Sequence, residues 1–321
     1  MQPLSSRAKL RIGASPLTTA WLPLYVASEK GYYAKAGLDV EMVQYQGNTG
    51  TQLPILAKGD LDIAVMNPSP ALFNQVAQGF DIRLLASNGI ERKGRQTTAW
   101  LVVLKDKTKD IVDFKDLKGK TIELGVSGTP TEQMAIEALH LAGLTEQDAN
   151  LSYQARSIPD IVARAKQGAA DVFGATEPLA TQSEADGTWV RWKSFVDIMP
   201  WYQPGLLAAS SKLLKDSPAA ASKFLEVHLS TVREMNATNG TWTPELVGIA
   251  AKIANIQPAV ITAQGQVPYF DPNDAVSTDS LQRTQTLWVQ KQLVKQAIDV
   301  NQLVDTSALS DALTRIGKQA A

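Results

Sequence analysis

The sequence predicts an α/β protein made of two similar lobes that face each other across a central cleft. Three observations carry this expectation. The chain has 321 residues, more than one domain usually holds. Short apolar runs alternate with helix-like stretches, the pattern of βαβ units around a largely parallel sheet. The chain also repeats itself after about 110 residues. Ile12-Gly13-Ala14-Ser15-Pro16 is echoed by Leu124-Gly125-Val126-Ser127-Gly128, and Gly59-Asp60-Leu61-Asp62-Ile63 by Gly168-Ala169-Ala170-Asp171-Val172. Each copy then reaches a polar-Pro turn that opens a helix-like stretch, Asn67-Pro68-Ser69-Pro70 in one and Thr176-Glu177-Pro178 in the other.

In the first copy the apolar runs Leu10–Ala14, Leu38–Val43, Leu61–Met66 and Ile82–Ser87 read as strands. Helices are expected over Thr18–Ala36, Thr49–Lys58 and Ser69–Gln78 between them. Ala99–Leu104 is a further strand after the polar stretch Glu91–Thr98. The second copy offers strands at Thr121–Val126, Leu151–Tyr153, Ala170–Phe173 and Trp189–Trp192, with helices at Pro130–Leu141, Ile158–Lys166 and Pro178–Glu184. After Pro200-Trp201-Tyr202-Gln203-Pro204, the run Gly205–Ser210 is a strand that returns the chain to the first lobe. The remainder reads as helical over Lys223–Asn236, Pro244–Ala254 and Thr278–Lys295, with Pro218, Pro244 and Pro258 near helix starts, where a missing N–H does little harm. One lobe is therefore expected to be discontinuous, residues 1–95 plus 204–321, and the other to span 96–203. Two crossings between them suit a hinge.

Composition narrows the function classes. An apolar fraction of 44 % with 20 % charged residues is ordinary for a globular protein. The net charge of −1 gives no electrostatic footprint for nucleic acid. The basic clusters Arg92, Lys93, Arg95 and Lys105, Lys107, Lys109 read as solvated loops. Without cysteine the chain has no thiol nucleophile, zinc-thiolate site, iron–sulfur cluster or disulfide. The two histidines, His140 and His228, lie far apart in helical stretches. Gly119-Lys120-Thr121 ends like a phosphate loop, but Phe114 stands where that loop needs glycine, so it reads as a turn into a strand. We therefore expect no catalytic residue, no metal site and no cofactor.

The strand-to-helix junctions are more informative. In open α/β sheets, ligands bind beyond the carboxyl ends of the strands, where helix N-termini offer unpaired N–H groups and partial positive charge. Four junctions carry small hydroxyl, amide or glycine residues: Ser15-Pro16-Leu17-Thr18-Thr19, Gly47-Asn48-Thr49-Gly50, Asn67-Pro68-Ser69 and Ser127-Gly128-Thr129-Pro130-Thr131. These types are also ordinary helix caps. Glu177, before Pro178, either favours a helix dipole or accepts a hydrogen bond from a ligand. Trp21, Trp100, Trp201 and Tyr202 either pack in the core or wall the cleft.

These residues resemble the periplasmic substrate-binding proteins of ABC importers for sulfonates, nitrate, taurine and thiamine-precursor pyrimidines. The matching segments are Arg11-Ile12-Gly13, then Leu22-Pro23-Leu24-Tyr25-Val26-Ala27-Ser28-Glu29-Lys30-Gly31-Tyr32-Tyr33, and Ala36-Gly37-Leu38-Asp39-Val40-Glu41. Leu56-Ala57-Lys58-Gly59-Asp60-Leu61-Asp62-Ile63-Ala64, Asp116-Leu117-Lys118-Gly119-Lys120-Thr121 and Glu177-Pro178 complete the match. The resemblance implies a type II periplasmic-binding-protein fold, a monomer that closes on a small ligand outside the cytoplasm, with its export leader already removed. It also implies delivery to a membrane permease driven by an ATPase.

Carried over from the family, Ser15, Thr18, Asn48, Asn67, Ser69, Ser127, Thr129 and Glu177 are the leading ligand contacts. Leu17, Gly128 and the four aromatic residues lie beside them. An aliphatic sulfonate or taurine-like ligand is the first expectation, with nitrate possible and an aromatic or pyrimidine ligand the alternative. A thiamine-pyrimidine synthase shares the fold, but its cysteines and its cysteine/histidine iron site have no counterpart here. A transcription regulator's sensor half would need a helix-turn-helix before the first strand, and only about eight residues precede it.

Overall fold

The computed structural model describes residues 2–320 apart from 15–17, 45–48, 90, 96, 156 and 157. Its strands are β1 (Ala8–Ala14), β2 (Leu38–Gln44), β3 (Ile63–Met66), β4 (Ile82–Ser87), β5 (Ala99–Leu104), β6 (Thr121–Glu123), β7 (Asn150–Ser152), β8 (Val172–Thr176), β9 (Trp189–Ser194) and β10 (Leu206–Ser210). They form two five-stranded sheets, in the orders β2-β1-β3-β10-β4 and β7-β6-β8-β5-β9. The protein is thus a two-lobed α/β structure of the periplasmic-binding type.

The sheets are mixed rather than largely parallel, which corrects the sequence expectation. β1 runs parallel to β2 and β3, and β6 parallel to β7 and β8, as βαβ units require. β10, however, lies antiparallel between β3 and β4, and β5 antiparallel between β8 and β9. Each antiparallel strand is the one that follows a crossing between the lobes.

The repeated Gly-x-x-Asp step has a structural cause. Asp62 accepts the N–H of Arg11 at 2.7 Å and donates its own N–H to the Arg11 carbonyl at 3.0 Å. Asp171 does the same with Thr121, at 2.8 and 2.9 Å. The carbonyls of Asp62 and Asp171 then accept the N–H groups of Ser210 and Leu104, next to the antiparallel strands. One aspartate in each lobe therefore fixes the spacing of three strands. Gly59 and Gly168, at φ +77° and +71°, allow the turn before it.

Helices cover both sheets. The expected helix over Thr18–Ala36 is three pieces, a 3₁₀ turn at Thr19–Trp21 and α-helices Leu22–Glu29 and Tyr32–Lys35. Gly31 breaks it at φ +67°, the left-handed region. Pro218, Pro244 and Pro258 each open a helix, at Pro218–Asn236, Pro244–Ala254 and Pro258–Ala263. The helix Thr278–Gln290 packs Leu281, Leu287 and Trp288 into the core of the first lobe, and Ile136 of the second lobe joins the same cluster.

The two crossings hydrogen-bond to each other. Asn88 N–H meets the Gly205 carbonyl at 2.9 Å, and Glu91 N–H meets the Tyr202 carbonyl at 3.1 Å. Gly205 has no room for a side chain, since a Cβ there would lie 2.3 Å from the Asn88 carbonyl oxygen and 2.7 Å from the Trp21 ring.

Candidate functional site

Ser69 after β3, Asn88 after β4, Gln52 after β2 and Gln264 after the helix Pro258–Ala263 each carry a buried polar atom with no hydrogen-bond partner among the described residues. Ser69 precedes the helix Pro70–Ala77 and is 4 % exposed, yet its hydroxyl neither caps the helix nor pairs elsewhere. Gln52 spends its amide N–H on the Val65 carbonyl at 3.3 Å and leaves its side-chain oxygen unpaired. That oxygen would lie 2.0 Å from a Cβ on Gly13, which places it against the end of β1. Asn88 donates to the Ala20 carbonyl at 2.8 Å and keeps an unpaired Oδ1. Gln264 accepts the Thr19 hydroxyl at 3.1 Å and keeps an unpaired Nε2. A buried polar group without a partner costs about 1–3 kcal/mol, a cost that a ligand bonding these atoms would relieve. Gln52, Asn88 and Gln264 were not legible in the sequence, because an isolated amide carries no motif.

The other residues expected on this side are committed to the protein. Asn67 donates to the Pro204 carbonyl at 2.6 Å and so ties the turn after β3 to the second crossing. Thr18 accepts the N–H of Ala20 at 3.1 Å. Trp21 is 4 % exposed and packs in the core of the first lobe, which corrects its reading as a cleft wall. Ser15, Leu17 and Asn48 lie outside the described residues.

The facing junction, Ser127-Gly128-Thr129, already holds an anion of its own. The carboxylate of Glu132, fully buried, accepts the Gly128 N–H at 2.5 Å, the Ser127 hydroxyl at 3.1 Å and the Tyr153 hydroxyl at 2.6 Å. Thr129 caps the helix Pro130–Leu141 by accepting the Glu132 N–H at 3.3 Å. The expectation that this helix start receives an oxyanion is therefore corrected: an internal carboxylate occupies its donors. Gly128 also lies close against the first lobe, for a Cβ there would lie 2.9 Å from the Pro70 ring.

Glu177 is held just as firmly. Its Oε1 accepts the Trp100 indole N–H at 2.9 Å and lies 3.5 Å from Arg191, and its Oε2 accepts the Thr181 N–H at 3.1 Å. Burial pushes its carboxyl pKa up, while Thr181, Arg191 and Trp100 pull against that shift. The guanidinium of Arg191 also lies 5.3 Å from the centre of the Trp100 ring. The carboxyl of Glu177 is thus engaged inside the lobe by Trp100, Thr181 and Arg191. Arg191 carried no sequence signal, because it sits in a strand that reads as structural.

Trp201 and Tyr202 do not wall the cleft. Tyr202 is fully buried in the second lobe, its ring 5.2 Å from that of Phe195. Trp201 lines an outer groove with Glu137, His140 and Arg283. A third glutamate, Glu123 at the end of β6, is buried as well. Burial alone would raise its pKa, but Ser152, the N–H groups of Ala155 and Gly125, and Arg164 hold it below the usual range. His228 lies buried in the first lobe 3.0 Å from Asp274, and His140 stands near Glu137 in the second. Among the described residues no group of three His, Cys, Asp or Glu is arranged to hold a metal ion.

The NMT1/THI5-like family model matches residues 18–238, more than half of the chain. The chain belongs to this family. No curated protein sequence matches it significantly. Among solved structures it is similar to the periplasmic aliphatic sulphonate binding protein SsuA of Escherichia coli, with TM-score 0.73 and 18 % identity over 92 % of this chain and 97 % of that one. It is also similar to the periplasmic nitrate-binding protein NrtA of Synechocystis PCC 6803, with TM-score 0.74 and 17 % identity over 99 % and 90 % of the two chains. A cysteine variant of DszB, in complex with biphenyl-2-sulfinic acid, shares the fold too, with TM-score 0.65 and 17 % identity over 96 % and 99 %. A second structure of that protein is described as a desulfurization enzyme. At these identities the likeness is one of fold. Among the described residues no helix is long and apolar enough to cross a membrane.

Proposed function

We propose that this chain is an extracytoplasmic solute-binding protein that captures a small organic anion and delivers it to an ABC transporter permease with its ATPase. The observation that carries this reading is the pair of buried, unpaired donors on Ser69 and Gln264. The Ser69 hydroxyl beside the start of the helix Pro70–Ala77 and the Gln264 amide N–H can each donate to an oxygen of an aliphatic sulfonate, taurine or nitrate. The fold shared with sulfonate- and nitrate-binding proteins supports the same reading. The lobes would divide as residues 1–95 plus 204–321 and 96–203, with the paired crossings as a hinge. No catalysis is proposed, since the chain has no cysteine and only two histidines, His140 and His228, which lie on separate helices.

A flat ring is the second reading, favoured by Trp100, whose partly exposed indole is fixed by Glu177 and Arg191. Titration calorimetry with ethanesulfonate, taurine, nitrate and an aminopyrimidine separates the two. Heat from the sulfonates supports the first reading. Heat from the pyrimidine alone replaces it with the second, and silence from all four overturns both.

A further inference from the structure

Among the described residues the lobes meet at two contacts of a cation with oxygen atoms, besides the Arg283 guanidinium 5.1 Å from the centre of the Trp201 ring. In one, Arg191 of β9 sends Nη1 to the Gln264 carbonyl at 3.3 Å and Nη2 to the Ala263 carbonyl at 3.5 Å, at the end of the helix Pro258–Ala263. That helix belongs to the first lobe, where it packs on Pro244–Ala254 and, through it, on Leu22 and Val26. A guanidinium there also complements the negative end of the helix. In the other, Lys291 follows the helix Thr278–Gln290 and ion-pairs with two residues of the second lobe, Glu146 and, at 3.3 Å, Glu132. Both cations are largely shielded from water, with side chains 20 % and 14 % exposed. Charged contacts so placed, an ion pair at Lys291 and charge-assisted hydrogen bonds at Arg191, are screened less than surface ones.

We infer that Arg191 and Lys291 are a pair of latches that hold the lobes closed, each reaching residues that also serve the site. Arg191 bonds Glu177 and lies over Trp100, and its anchor Gln264 accepts the hydroxyl of Thr19, next to Thr18 in the first jaw. Lys291 engages the same Glu132 that fills the Ser127-Gly128 junction. Groups that position the cleft walls are thus the groups that fasten them. Opening breaks both cationic contacts along with the neutral Gln133–Thr284 hydrogen bond of 3.3 Å, the packing of Ile136 and the contact of Arg283 with Trp201. The latches rest on the two-lobe reading with hinge motion, but not on any particular ligand.

Small-angle scattering on the ligand-free protein tests this without a ligand. Lys291→Met removes one latch and leaves every residue of the second lobe in place. Arg191→Lys keeps a cation beside Glu177 and Glu184 but loses the fork that spans two carbonyls. Each variant should enlarge the radius of gyration at low salt, and the double variant should enlarge it further, with thermal unfolding still cooperative. Glu146→Gln, on the exposed side of the second latch, should act in the same direction as Lys291→Met. Profiles that superimpose on the wild type for the double variant and for Glu146→Gln overturn the proposal. In a parallel arm with ethanesulfonate as probe, each lost latch should weaken affinity about tenfold, because the closed form becomes rarer. A wild type that binds no ethanesulfonate counts against the sulfonate reading alone, since the scattering arm still decides on the latches.

Discussion

Trp100 donates its indole N–H to Glu177 across 2.9 Å, so a neutral ring and a buried carboxylate are locked together at the mouth of the second lobe. The lock is completed by Arg191, which faces both. Glu177→Ala leaves the cation and the indole without their shared acceptor. Breaking a buried pair from one side is strongly destabilising, on the order of 3 kcal/mol. Glu177→Gln keeps an acceptor and should cost about a third as much. Urea unfolding of both variants provides the comparison, and equal midpoints would refute the assigned role of the charge.

Ser69 offers the opposite case. Its hydroxyl pairs with nothing among the described residues, so Ser69→Ala should leave the unfolding midpoint unchanged or slightly raised. If the hydroxyl serves a bound oxyanion, the same change should weaken sulfonate binding roughly tenfold, one hydrogen bond to a charged group. Asn67→Ala should do both kinds of harm, since Asn67 holds the Pro204 carbonyl. Calorimetry and unfolding on the same preparations separate these outcomes.

Gly128 sits at φ +80° with Pro70 close against it. Gly128→Ala adds a methyl where the jaws touch and strains a backbone that prefers glycine. We expect a loss of about 1–3 kcal/mol in stability and a more open ligand-free shape. An unchanged scattering profile would show that the jaws tolerate the wedge.

Glu91, fully buried in the first crossing, takes the Thr98 N–H and hydroxyl on one oxygen and leaves the other unpaired. Burial raises its pKa above the ordinary glutamate value, so the folded state holds this proton more tightly than the unfolded chain. Its stabilising contribution is therefore complete below about pH 4.5 and is lost as pH rises through the raised folded value. Glu91→Gln should flatten that part of the stability profile and stabilise the protein at pH 8 relative to wild type. Urea midpoints taken at intervals from pH 5 to 8 test the sign; a variant less stable than wild type at pH 8 would reverse it.

Much of the architecture was legible because period and punctuation report local structure. The strands beside the Gly-x-x-Asp steps, the helix Pro130–Leu141 and the proline-led helices followed directly from them. Strand direction did not, since an apolar run such as Leu206–Ser210 reads the same either way. The broken helix at Gly31 was missed because apolar spacing on both sides continues through it. The site was harder. Glu132 looks like an ordinary capping residue until Gly128 and Tyr153 are seen on its carboxylate. Arg191 and Gln264 are paired only through tertiary folding, across more than 70 residues of chain.

The placement of β10 bears on how the chain assembles. The second sheet is drawn from one continuous stretch, Ala99 to Ser194, and can fold as soon as that stretch is complete. The first sheet cannot, because its β3 and β4 are joined only through a strand that arrives more than a hundred residues later, pairing Leu206 with Met66 and Ser87. Such distant pairings are slow to form. The lobe that begins the chain is therefore the last to finish, and its two halves wait as unpaired edges until the rest of the polypeptide has passed through the other lobe.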